Sequence, residues 1–309
     1  MKRGIHTMRR EDYDADPCPA PSLSASMAKL MIGRTPRHAW MAHPRLNPKY
    51  ESDNPTKFDM GNVAHALLLG EEDRIVEIDA ADWRKDATKA ARDAALAENK
   101  IPALSHVLST ARAMHRAAVA QLERHEEGDV FAFSGRAEAT CIWQEGETWC
   151  RMRPDWLPDD LPIIVDYKTT TNADPYQWGR NAAFDTGADL QAAWYRRGFK
   201  AVTGQDRRFL FVVQEVEPPH ALAVIEMGQA ATALGEAKVY RALELWRWCM
   251  AKGVWPGYDR RTHSIDPPPW HEQRFEAIKM QDEISREHDD RALIEQWMDW
   301  QAPEGKESQ

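Results

Sequence analysis

Apolar positions along the chain alternate between a helical and a strand period, and those changes mark its elements. Ser22-Leu23-Ser24-Ala25-Ser26 sets hydroxyl residues before Met27-Ala28-Lys29-Leu30-Met31, which predicts a helix start with a hydroxyl N-cap. Pro36, Pro44, Pro48 and Pro55 predict loop over residues 33–57, around a short helix near His38–His43. Phe58 to Leu69 reads as a helix, with Asp59 as N-cap and Gly70 as its stop. Residues 84–99 and 104–127, rich in Ala, Arg, Glu and Leu, predict two helices broken at Pro102. The period then falls to two. Ala137–Trp143 and Thr148–Leu157 alternate around Gln144-Glu145-Gly146-Glu147 and predict a β-hairpin. After a turn through Pro158-Asp159-Asp160, Ile163–Lys168 is apolar enough at its start for a central strand. Residues 175–199 predict a helix ending near Gly198. Arg208–Glu215 and Ala221–Met227 predict two further strands, and 228–252 a long helix. Helices, a three-strand meander, a helix, two strands and a helix amount to an α/β (α+β) fold, with a central mixed sheet flanked by helices and an N-terminal helical region. Residues 1–21, charged and proline-spotted, are expected to be a loose, flexible segment. Residues 22–270 form the main domain and residues 271–309 an acidic helical tail.

Composition narrows the class. The 309 residues are 43% hydrophobic and 29% charged, a soluble globular balance. No apolar run approaches the ~18 residues of a membrane span. Charges follow Met1-Lys2-Arg3, so no secretory signal is visible, and the four cysteines, Cys18, Cys141, Cys150 and Cys249, include no C-x-x-C. A cytoplasmic location is expected. The net charge of −9 hides a gradient. Residues 271–309 hold eleven acids against five bases, and residues 1–60 ten bases against seven acids. Such a sum disfavours non-specific polyanion binding, yet a metal-holding cleft must itself be rich in carboxylates.

The chemistry gathers in Arg153-Pro154-Asp155-Trp156 and Ile163-Ile164-Val165-Asp166-Tyr167-Lys168-Thr169-Thr170. On a strand, residues i and i+2 share a face, so Asp166 and Lys168 project together. If the preceding strand pairs about the intervening turn, Asp155 reaches the level of Asp166. Two neighbouring carboxylates repel, and a dication such as Mg²⁺ or Mn²⁺ relieves them. Lys168 is placed to orient the attacking water and offset charge on phosphorus. An Asp-x-Lys triplet alone is common and usually lies on a solvated face. The apolar lead-in, the upstream Pro-Asp and the following Thr169-Thr170-Thr171-Asn172 turn set this one apart.

Pro154-Asp155…Asp166-Tyr167-Lys168 resembles the PD-(D/E)XK nuclease motif. More closely, the chain resembles the RecE-like (exonuclease VIII), YqaJ and lambda exonuclease group of phage nucleases. Ser22–Lys29 with Pro36-Arg37-His38, the segment Gly61–Gly70 around His65, Asn99-Lys100-Ile101-Pro102 and Gln191-Ala192-Ala193-Trp194-Tyr195 carry the resemblance over residues 22–230. It implies a restriction-endonuclease-like core. Asp155, Asp166, His65 and the Tyr167 carbonyl would hold the metal, Lys168 would be the catalytic lysine and Glu138 a further acid. Gln191 and Tyr195, on one helix face, would reach DNA. Read from the residues alone, Arg34 and Arg37 belong to a basic stretch that either contacts backbone phosphates or is a solvated loop, and Thr169 and Thr170 offer hydroxyls to an approaching phosphate. The implied function is Mg²⁺-dependent resection of linear double-stranded DNA, 5′ to 3′, leaving 3′ overhangs for recombination by strand annealing. A trimeric or tetrameric ring, a RecT or Red beta type annealing partner and a bacterial or phage-infected cell are also implied. No iron–sulfur cluster is expected, since only Cys249 lies late in the chain. Two alternatives stay open: a RecB-like single-strand or structure-specific nuclease beside a helicase, and a non-catalytic DNA-end-binding protein.

Overall fold

A computed structural model describes residues 1–51 and 60–288. Met1–Tyr258 form one compact unit, and the chain from Asp259 forms a second. From the sequence the boundary is expected at residue 270.

The first unit opens with β1 (Gly4–His6), α1 (Arg10–Asp14), β2 (Leu23–Ser24), α2 (Ala25–Gly33) and α3 (Pro36–Met41). The N-cap of α2 is Ser24, whose hydroxyl accepts from the Met27 amide. Residues 1–21 are not the loose segment expected, because β1 pairs with a later strand and Asp16 is buried against Arg151, Arg45 and His43, as described below. Next come α4 (Met60–Leu68), β3 (Ile75–Ile78), α5 (Asp86–Ala97), β4 (Ile101–Leu104) and α6 (Ser105–Leu122). Asp59, the expected cap of α4, lies outside the described residues. Pro102, expected as a simple break between helices, instead sits in β4, which pairs parallel with β3. Two strands of four residues are too short to show a period.

The remaining strands are β5 (Gly135–Ala137), β6 (Thr140–Glu145), β7 (Thr148–Met152), β8 (Trp156–Pro158), β9 (Ile163–Thr170), β10 (Arg208–Glu215) and β11 (Leu222–Glu226). The expected hairpin is present as β6 and β7. The expected meander is not, because the chain turns at Arg153-Pro154-Asp155 and leaves one sheet for another. One sheet has the order β1-β6-β7-β2 and the other β11-β10-β9-β8-β5. Proline has no amide to donate to a ladder, so Pro154 suits a strand break. In the second sheet β9 and β10 are parallel while β8 and β11 run antiparallel to them, the mixed sheet the sequence predicts.

Helices cover both faces of that sheet. Ile163, Val165, Tyr167, Leu210 and Val212 join the core under α4 and α6. Ile164, Phe209, Phe211 and Val213 face the other core, shared with α2, α8 (Ala188–Thr203) and α9 (Gln229–Lys252). The segment expected as one helix over 175–199 is split. A short α7 (Pro175–Trp178) and a π turn precede α8, which starts after Gly187 at φ 69°. Where α9 crosses α8, a Cβ on Gly235 would stand 2.2 Å from the Asp189 carbonyl oxygen. Only glycine permits that approach.

In the second unit, α10 (Pro269–His288) opens the acidic tail. Trp297 and Trp300 lie outside the described residues. Trp246 is buried and packs against Trp255, with ring centroids 5.3 Å apart. Among the described residues no helix is long and apolar enough to cross a membrane.

Candidate active site

Register brings the carboxylates together. Trp156 stands opposite Val165, which sets Asp155 opposite Asp166 at the end of β8. The Tyr167 amide donates to Asp155 Oδ2 at 2.8 Å, so a backbone bond of the central strand holds this side chain. His65, from α4, sets Nε2 3.1 Å from Asp155 Oδ1. Asp155 and His65 line one cavity of about 480 Å³ with Glu138, Tyr167, Lys168, Thr169 and Tyr195.

Asp166 is 1% exposed and lies on the α8 side of β9. Lys168, two residues on, donates to both of its oxygens, to Oδ2 at 2.8 Å. Gln191 donates its amide N–H groups to the same oxygens at 3.0 and 2.8 Å. Its own Oε1 accepts from Lys29 Nζ at 2.8 Å. Gln191, expected to reach DNA, therefore spends its polar atoms on orienting Asp166. Tyr195, one turn on, donates its hydroxyl to the Arg153 carbonyl at 3.2 Å. Tyr195 lines the cavity and also braces the corner that carries Asp155.

Glu138 is not on a strand as expected. It takes a left-handed φ of 47° between β5 and β6, uncommon for a residue with a side chain. Its N–H donates to the Asp155 carbonyl at 2.9 Å, and Arg153 grips its carboxylate, with Arg74 3.7 Å away. Glu138 thus faces the cavity as a neutralised acid. Thr169 lines the cavity, whereas the Thr170 hydroxyl donates to the Asn172 carbonyl at 3.2 Å. Arg34 and Arg37 are exposed and stand apart from the cavity lining. The N-terminal residues Arg10, Tyr13, Asp14 and Ser26 do line it, as does Arg153. The sequence reading assigned none of these five a role, nor Lys29. Their chemistry depends on chain segments that only folding brings together.

Electrostatics follow from crowding. Burial raises the Asp166 pKa to about 6, and the charge on Asp155 pushes the same way. Burial would also raise Asp155, but His65, Lys168 and the Tyr167 amide together outweigh it and the net direction is down. For His65, burial works toward a lower pKa while Asp155 wins and raises it. Lys168 behaves likewise: burial would lower it, Asp166 and Asp155 raise it, and it stays an ammonium. Lys29 is pushed down to about 8 by burial, helped by the charge of Lys168.

These residues suit a hard divalent cation. Carboxylate oxygens, an imidazole nitrogen and a backbone carbonyl are a donor set for Mg²⁺ or Mn²⁺. Among the described residues no three His, Cys, Asp or Glu side chains are already drawn around one point. Asp166 is turned to Lys168 and Gln191, while Asp155 is turned to His65. Burial is the first cause of the raised Asp166 pKa, and the nearby Asp155 charge adds to it, a repulsion that a dication relieves.

Known proteins agree on the fold. The structure superposes on the crystal structure of a "Putative exonuclease" from Eubacterium rectale with a TM-score of 0.58 at 14% identity, covering 85% of this chain and 96% of that one. Crystalline SSO0001 aligns at 14% identity over 63% of this chain and 96% of that one, with a TM-score of 0.27 that carries no argument. No curated protein matches the chain. A family pattern matches residues 24–265, most of the chain: the chain belongs to the PDDEXK-like domains of unknown function, DUF3799.

Proposed function

We propose that the chain is a Mg²⁺-dependent exodeoxyribonuclease that resects linear double-stranded DNA from 5′ ends and leaves 3′ single strands for recombination by annealing. The observation that carries this is the gathering of Asp155, Lys168 and His65 on one cavity, with Asp166 bonded to Lys168 behind them. Membership of a PDDEXK-like family supports nuclease chemistry. Polarity, a ring-shaped trimer or tetramer and an annealing partner of RecT or Red beta type rest on the RecE-like resemblance.

Asp155, Asp166, His65 and the Tyr167 carbonyl would hold the cation. When bound, Mg²⁺ supplies Lewis-acid polarisation of a phosphodiester oxygen and lowers the pKa of a bound water. Lys168 stays protonated beside Asp166, so it positions the water and offsets phosphate charge instead of removing a proton. Gln191 fixes the rotation of the Asp166 carboxylate, and Lys29 fixes Gln191. End-labelled linear duplex should lose nucleotides from one strand with Mg²⁺ and none with EDTA. Binding at DNA ends without release would sink the exonuclease and favour an end-binding protein.

Metal binding should depend on pH through Asp166. A carboxylate must shed its proton to hold a cation. Asp166 titrates at about 6, above its ordinary 3.8. Mg²⁺ should therefore raise the Tm near pH 8 and barely shift it near pH 5. The folding contribution of this group has the opposite sign. It is complete below the unfolded pKa and is lost as pH rises through about 6. Equal Mg²⁺-induced shifts at both pH values would exclude Asp166 as a ligand.

A further inference from the structure

On the far side of β8 from the carboxylates lies a second cavity of about 470 Å³. Consecutive residues on extended chain point to opposite faces. Asp155 accordingly lines the catalytic cavity and Trp156 the second one. Helix α4 is shared in the same way, with His65 on one side and Leu67–Leu69 on the other. Trp156 and Phe131 form an aromatic wall, with ring centroids 6.4 Å apart. Facing them, α6 presents Arg112, His115 and Arg116, which at spacings of three and four share one helix face. Arg116 is exposed and makes no ion pair among the described residues. Arg112 pairs with exposed Glu72 at 2.9 Å, a contact of little strength that a phosphate can displace.

We infer that this groove binds single-stranded DNA, with bases stacked on Phe131 and Trp156 and phosphates held by Arg112 and Arg116. Aromatic faces beside a row of cations are what an unpaired strand requires, since its bases are free to stack and its backbone carries the charge. A duplex hides its base faces and leaves the aromatic wall unused. The inference rests on the nuclease reading for its meaning: the groove would take one strand as it separates from its complement, beside the cavity that takes the other.

The test uses the full chain with Lys168→Ala, so that DNA stays intact, and fluorescein-labelled oligo(dT) read by anisotropy. Arg112→Ser with Arg116→Ser should weaken binding about tenfold and lower the slope of log K against log salt by about 0.7 for each phosphate released from an arginine. Phe131→Leu keeps an apolar side chain but loses the ring, and should weaken binding about tenfold with the slope unchanged. In the parent background, the same groove variants should hydrolyse a small chromogenic phosphodiester with Mg²⁺ at the parent rate. Parent-like affinity in both variants overturns the groove, as does a parent that binds no oligo(dT). Loss of affinity together with the small-diester rate also overturns it, since the effect is then not confined to the groove. If the parent hydrolyses nothing while the variants still lose affinity, the groove stands and the nuclease reading falls.

Discussion

Lys168→Ala is expected to slow phosphodiester cleavage about a thousandfold or more while leaving the fold in place. Among the described residues Lys168 is the ammonium that bonds Asp166 directly, and it donates to both oxygens. Its side chain is 40% exposed, so the alanine opens no sealed void. Asp166 keeps both bonds from Gln191. Without the ammonium its pKa should rise further above the present value of about 6, because one of the opposing charges is gone. The variant should thus keep its Tm within a few degrees and lose activity most strongly at low pH. The measurements are thermal melting and nucleotide release from end-labelled duplex, run in parallel. Undiminished release from a well-folded variant would remove Lys168 from the chemistry.

The second large effect lies outside the cavity. Asp16→Asn should destabilise the protein by about 3–5 kcal/mol, because it strips one partner from a buried ion cluster. Asp16 is 4% exposed and sits at φ 63°, a backbone conformation that asparagine tolerates. The change therefore tests charge and not shape. Arg151, 4% exposed, sets Nη1 3.3 Å from Asp16 Oδ1, and the fully buried His43 sets Nε2 3.4 Å from Oδ2. Arg45 stands 3.8 Å away, and Ser22 donates both its amide and its hydroxyl to Asp16. Without the carboxylate, Arg151 and Arg45 lose their shared counter-charge. The cost is about 10 °C in Tm for a chain of this size. Activity should fall too, because Arg151 and Arg153 lie over the ring of Tyr13, which lines the cavity with Asp155 and Lys168. Faster amide exchange in residues 10–24 would mark the loss as local. An unchanged melting curve would show that the cluster contributes nothing net.

The two predictions differ in how far each was legible. β9 was readable because its period is local: three apolar residues, then Asp166 and Lys168 two apart on one face. Asp155 was readable because a turn of known length separates it from β9. Glu138 was found as a nearby acid, but its left-handed turn and its grip by Arg153 carry no local pattern. Gln191 is marked by its spacing from Tyr195 and expected to reach DNA, whereas its bond to Asp166 joins α8 to a strand 25 residues earlier and has no local pattern. Nothing around Asp16 marks it as the centre of a cluster.

The sequence by itself determined the strand that carries Asp166 and Lys168, the pairing level of Asp155 with Asp166, the mixed sheet and the PDDEXK-like family. Each follows from a period of two or from a motif spanning a dozen residues. Tertiary structure alone decided the switch of sheets at Pro154, the Lys29–Gln191–Asp166 chain, the anchoring of the first residues and the groove behind Trp156. Those features join side chains 162 residues apart, as in Lys29 to Gln191, or 129 apart, as in Ser22 to Arg151. A residue's pattern records which face it must bury. It does not record which distant surface meets that face, because this is settled by how the whole set of helices and strands closes over the core.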